Sequence, residues 1–86
     1  MSSGPAAFQR LTLVTRAACE LCDQLLADLT ALRARVSLPA LDLLDVDADP
    51  VLQRRWGLKV PVLLLNGALV CAGRLDVAEL QRLLRL

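Results

Sequence analysis

The sequence predicts an α/β fold: a mixed four-stranded sheet flanked by helices on both faces, in the order βαβ(α)ββα. Three observations carry this reading. An apolar run of strand type is followed by a leucine stripe at helical spacing and then by a second apolar run, the pattern of a parallel βαβ unit. Two later apolar runs are separated only by Asn66-Gly67, the dipeptide that most favours a type I′ hairpin. An amphipathic segment with capping signals closes the chain.

Residues 1–7 are small or polar and contain Gly and Pro, which predicts a flexible leader ahead of one domain spanning 8–86. Arg10 to Thr15 is the first strand. Leu21, Cys22, Leu25, Leu29, Leu32 and Val36 then recur on one helical face, with Asp23, Gln24, Asp28, Arg33 and Arg35 mostly outside it, so the first helix is expected to end near Ser37. Pro39 breaks that helix, and Leu41 to Val46 forms the second strand, parallel to the first. Asp49-Pro50 has the N-cap and first-position proline of a short helix that Gly57 is expected to close in a left-handed conformation. Val60 to Leu65 and Ala68 to Ala72 are the two hairpin strands. Asp76 followed by Glu79 starts the last helix as in a capping box, and Val77, Leu80, Leu83 and Leu84 supply its apolar face.

Composition narrows the function classes. The chain has 86 residues, 56% hydrophobic and 22% charged, enough apolar material for one core and too little length for a second domain. Its formal charge of +1 and scattered basic residues exclude a nucleic-acid footprint. No run approaches the length needed to span a bilayer, and residues 1–10 lack the apolar core of a signal peptide, so a cytoplasmic monomer away from the membrane is expected.

The chemistry lies in Cys19-Glu20-Leu21-Cys22, at the junction of the first strand and first helix. Two intervening residues at a helix start bring both sulfurs to one end, where they can form and break a short-loop disulfide. Unpartnered backbone N–H groups and the positive end of the helix dipole favour a thiolate there, so Cys19 is expected to ionise more readily than a free cysteine. The gain in attack rate is only about two- to threefold, because nucleophilicity falls as acidity rises. Faster departure from a mixed disulfide and stabilisation of the reduced form matter more, and Glu20 opposes both by repelling the thiolate. A metal half-site and a redox-inert remnant are the alternatives. Zinc normally takes four ligands, and this chain has three cysteines and no histidine. Cys71 reads as a small core residue, Trp56 as packing, and Arg54 and Arg55 as a solvated helix end.

This element order, with C-x-x-C opening the first long helix, resembles the thioredoxin superfamily, and within it the glutaredoxins. The residues that carry the resemblance are Arg16, three before Cys19; Lys59-Val60-Pro61, similar to the family's T-V-P; Asn66-Gly67; and Gly73 to Asp76, which resembles G-G-x-D-D. The chain is especially like small glutaredoxin-like proteins with C-x-L-C-D, V-P-V-L and G-R-x-D signatures. The resemblance implies a thiol-disulfide oxidoreductase acting on protein or glutathione-mixed disulfides, with Cys19 as nucleophile and Cys22 as resolving thiol. It implies a cis Pro61 and a Val60 backbone that pairs with the substrate as an added strand. Arg16 and Lys59 would attract the carboxylates of glutathione, and Asp76 its ammonium. Glutathione would be a co-substrate, not a bound cofactor, and the electron donor would be glutathione or an enzyme of the thioredoxin-reductase type. The competing reading is a non-catalytic binding module, or an iron-sulfur or metal-holding protein, using the same cysteines.

Overall fold

The computed structural model describes residues 9–85; the expected leader, 1–7, lies outside the described residues. Its elements are β1 (Arg10–Thr15), α1 (Glu20–Arg33), β2 (Ala40–Asp45), α2 (Pro50–Trp56), β3 (Val62–Leu65), β4 (Ala68–Ala72) and α3 (Val77–Leu84), with a 3-10 turn at Val46–Ala48. The four strands form one mixed sheet in the order β2-β1-β3-β4. β2 is parallel to β1, while β3 is antiparallel to both β1 and β4.

Alternation along the two central strands sorts the core into two layers. Leu11, Leu13, Leu63 and Leu65 face Leu25, Leu29 and Leu32 of α1 and Leu80 and Leu84 of α3. Val14, Val62 and Leu64 face the opposite way and pack with Val46 and Trp56. All four residues of β3 are buried, as a central strand covered on both faces requires. The hairpin uses Asn66 (φ 52°) and Gly67 (φ 86°), both in the positive-φ region a type I′ turn needs. Asn66 also ties the turn to the start of β1: its Oδ1 accepts from Arg10 N–H and its own N–H donates to the Arg10 carbonyl, each at 2.9 Å. No helix among the described residues is long and apolar enough to cross a membrane.

Several boundaries differ from those expected. α1 ends at Arg33, because the Leu32 carbonyl takes the N–H groups of Arg35 and Val36 and turns the chain. Val36 still packs against the core from outside the helix, while Arg33 reaches forward to the carbonyls of Leu38 and Pro39. Leu21, placed on the buried stripe by its spacing, is 47% exposed at the first turn, ahead of the part of α1 that meets the sheet. Val77 is likewise exposed. β3 starts at Val62, since Pro61 has no N–H for the ladder, and its pairing to β4 shifts between Leu63 and Leu64 so that Val70 is an extra residue.

Gly57 is right-handed (φ −55°, ψ −31°), not left-handed. The reason for glycine is proximity: a Cβ there would collide with the Gln53 carbonyl oxygen. The capping box of α3 is half made. Asp76 Oδ1 accepts the Glu79 N–H at 3.0 Å, but the Glu79 carboxylate pairs with Arg82.

Candidate active site

The sheet topology brings the candidate residues to one end. Val14 pairs with Val62 and Thr15 with Asp45, so the C-terminal ends of β1 and β2 and the start of β3 coincide. Cys19 follows β1, Val60-Pro61 precedes β3, and the Gly73 N–H donates to the Pro61 carbonyl at 2.8 Å, bringing the end of β4 to the same edge. Asp76, the N-cap of α3, follows within three residues.

Cys19 is the N-cap of α1. Its extended backbone (φ −117°, ψ 106°) turns Sγ over the first helical turn, where it accepts the Cys22 N–H at 3.1 Å. Ser, Thr, Asp and Asn usually fill this position because their oxygen satisfies an orphan N–H. Here a disulfide sulfur takes that bond, and the same N–H would favour the thiolate once the pair is reduced. Cys22, one turn on, is 2% exposed, whereas Cys19 is partly exposed. The two are joined as a disulfide with Cα atoms 5.2 Å apart. Before them, Ala18 sits at φ 54°, a left-handed conformation unfavourable for a side chain bearing Cβ.

The Val60–Pro61 peptide is cis and Pro61 is fully buried. Val60 packs partly buried against the Trp56 cluster. Its backbone makes no hydrogen bond among the described residues. Lys59 is exposed, its N–H held by the Trp56 carbonyl at 2.8 Å and its ammonium in no ion pair among the described residues. Asp76 also faces solvent and caps α3.

Arg16 is placed differently from Lys59. Its Nε and Nη2 donate to the two carboxylate oxygens of Asp47 at 2.8 and 3.0 Å, and its Nη1 donates to the Gly57 carbonyl at 3.1 Å. Gln53 adds a 3.1 Å bond to Asp47 Oδ1, and the guanidinium and this amide together hold the Asp47 carboxyl down at about 2. The sequence reading missed Asp47, Gln53 and Gly57 as partners. The one signal was Asp45, Asp47 and Asp49 alternating from the end of the second strand onward.

Cys71 lies across from Leu63 on β4, packed partly buried against the α1 and α3 core. Burial pushes its thiol up from the ordinary value, against an opposing hydrogen bond from the Asp76 backbone. A raised thiol is protonated at neutral pH and is a poor nucleophile.

Fold and site together define a thioredoxin-like α/β domain with a cysteine pair at the head of its first helix, an arrangement suited to a redox role. The model of the glutaredoxin-like domain family (DUF836) matches residues 10–85, and the chain belongs to that family. Among solved structures, it is 31% identical to a structural-genomics target protein from X. campestris, covering 87% of this chain and 95% of that one with a TM-score of 0.64. A mutant thioredoxin from Halobacterium salinarum NRC-1 is 26% identical, covering 90% of this chain and 72% of that one with a TM-score of 0.61. A search of curated proteins finds no match.

Proposed function

We propose that the protein is a thiol-disulfide oxidoreductase of glutaredoxin type that reduces protein or glutathione-mixed disulfides through Cys19 and Cys22. The observation that carries this reading is the asymmetry of the pair: a partly exposed sulfur at the helix N-cap, taking a backbone N–H, beside a buried partner one turn away. In the first step the Cys19 thiolate attacks a substrate disulfide, forming a Cys19 mixed disulfide and releasing one substrate thiolate. In the second, Cys22 loses its proton and attacks the Cys19 sulfur, forming the internal disulfide and releasing the second substrate thiol. Two electrons pass to the substrate. An external thiol donor, glutathione or a reductase, returns them by the reverse exchange.

The unpaired Val60 backbone supports recognition of an extended peptide or of the cysteinyl part of glutathione by strand-like pairing. Exposed Leu21, next to Cys22 in the chain, and exposed Leu58, two residues before Val60, add apolar surface and favour a polypeptide substrate. With no histidine or tyrosine in the chain, protons move through water, carboxylic acids or the thiols themselves. A monomer in the reducing cytoplasm suits this chemistry, since catalytic disulfides persist there while structural ones are rare.

The test is a titration of the full chain in defined mixtures of reduced and oxidised glutathione, quenched by alkylation and read by intact mass. A reversible Cys19–Cys22 disulfide in the glutathione or thioredoxin range is expected. The Cys22→Ser variant should accumulate a mixed disulfide on Cys19. If no reversible pairing appears and Cys22→Ser traps nothing, the enzyme reading fails and a binding or cluster-holding module takes its place.

A further inference from the structure

We propose that Arg16 is a positioning residue: its guanidinium latches the turn that presents Cys19 to the segment that carries Val60 and Pro61, so that attacking sulfur and substrate-pairing backbone are held in one geometry. This rests on the thiol-exchange reading above.

Arg16 stands three residues before Cys19, and the Gly57 carbonyl it bonds stands three residues before Val60. One side chain therefore spans the two loops on which the exchange depends. Both carboxylate oxygens of Asp47 meet it, a planar two-bond match that a lysine ammonium cannot reproduce. Gln53, from the middle of α2, adds a bond to the Asp47 Oδ1 that Arg16 Nη2 also meets. All three guanidinium nitrogens that could have met a substrate carboxylate are thus engaged within the protein, by one carboxylate and one carbonyl.

The latch is poorly suited to being a stability device. Arg16 and Asp47 are 38% and 43% exposed, and ion pairs so open to water add little to folding. Its bidentate geometry has a different use. The turn it restrains includes Ala18 at φ 54°, a conformation that would relax if the loop were free, moving Cys19 with it. Gly57 is the C-cap of α2, its N–H bonded to the Gln53 carbonyl at 2.9 Å, so the carbonyl that Arg16 meets sits on a hydrogen-bonded helix end. Of the two basic residues expected to attract glutathione, Arg16 is paired with Asp47, whereas Lys59 forms no ion pair among the described residues.

The test compares full-length Arg16→Gln, Arg16→Lys, Asp47→Asn and the double variant Arg16→Gln/Asp47→Asn with the parent. Each is assayed below its Tm for the second-order rate of reducing a neutral peptide disulfide and a glutathione-mixed disulfide. If Arg16 is a latch, Arg16→Gln and Asp47→Asn slow both substrates by the same factor, roughly tenfold on the scale of a small misplacement of reacting groups. The double variant is then no slower than the worse single change, and Arg16→Lys recovers only part of the rate. Gln53→Ala, which leaves the ion pair intact, provides a milder change in the same direction should the others unfold.

Three results would overturn the proposal. Asp47→Asn could raise the glutathione-mixed rate relative to the peptide rate, as expected if it freed Arg16 to bind carboxylate. The single variants could react at the parental rate. They could also show a lower Tm with an unchanged rate, the mark of a purely structural role. If the parent itself forms no mixed disulfide, the exchange reading has failed instead, which separates the two claims.

Discussion

Replacing Ala18 by glycine should stabilise the protein, although the same change at its neighbour Ala17 should weaken it. Ala18 is at φ 54° and exposed, so its methyl group contributes no core packing to offset an unfavourable backbone. Ala17 is also exposed and has no positive φ. Glycine at either site gives the unfolded chain the same extra freedom, a loss of about 0.4–1 kcal/mol. At Ala18 it also removes a left-handed penalty of about 1–2 kcal/mol. Ala18→Gly should therefore gain roughly 0.5–1 kcal/mol, and the two variants should differ by the full penalty, about 1–2 kcal/mol. In a domain of this size that difference corresponds to Tm values separated by about 4–16 °C. The assay is thermal unfolding followed by far-UV circular dichroism, repeated in urea, with the cysteines held in one redox state. Equal losses for both variants would refute the claim of backbone strain beside Cys19. A gain at Ala17 would refute the entropy argument as well.

Gly57→Ala should destabilise by roughly 1–3 kcal/mol, because the added Cβ meets the Gln53 carbonyl and the backbone must shift to admit it; a lowered denaturant midpoint at unchanged slope is the expected readout. Asp47, held at about 2 in the folded protein against the ordinary unfolded value near 4, contributes a small, water-screened increment of stability that is complete above about pH 4 and is lost as the pH falls through 2. The advantage of the parent over Asp47→Asn should accordingly be constant from pH 7 to about 4 and vanish near 2, as followed by urea unfolding at each pH. Cys71→Ser should leave the glutathione titration of Cys19 and Cys22 unchanged; a shifted midpoint would show Cys71 to be a participant. Leu58→Ser should change stability by no more than about 0.5 kcal/mol, as expected of a surface site, while lowering kcat/KM for a protein disulfide more than for a small one.

Much of the site was legible because it is local. The N-cap and first turn of α1 contain both cysteines, so their spacing alone puts the two sulfurs together. The hairpin was equally legible, since Asn66-Gly67 carries its own conformational preference. Residues whose role depends on how their surroundings pack were misread. Leu21 matches the apolar stripe in period but lies before the helix reaches the sheet. Gly57 looked like a left-handed terminator, yet what requires glycine there is the approach of a carbonyl.

The sequence by itself determined the order of strands and helices, the parallel and hairpin halves, and the dithiol, because hydrophobic period, capping residues and turn chemistry act over a few positions. Only the tertiary structure decided what Arg16 does. A basic residue three positions before a reactive cysteine could equally face a ligand or a neighbour, and the choice falls to Asp47 and Gly57, 31 and 41 residues away. Their positions follow from the pairing of β2 beside β1 and from the packing of Trp56 on the far face of the sheet, and no local pattern in the chain encodes that meeting.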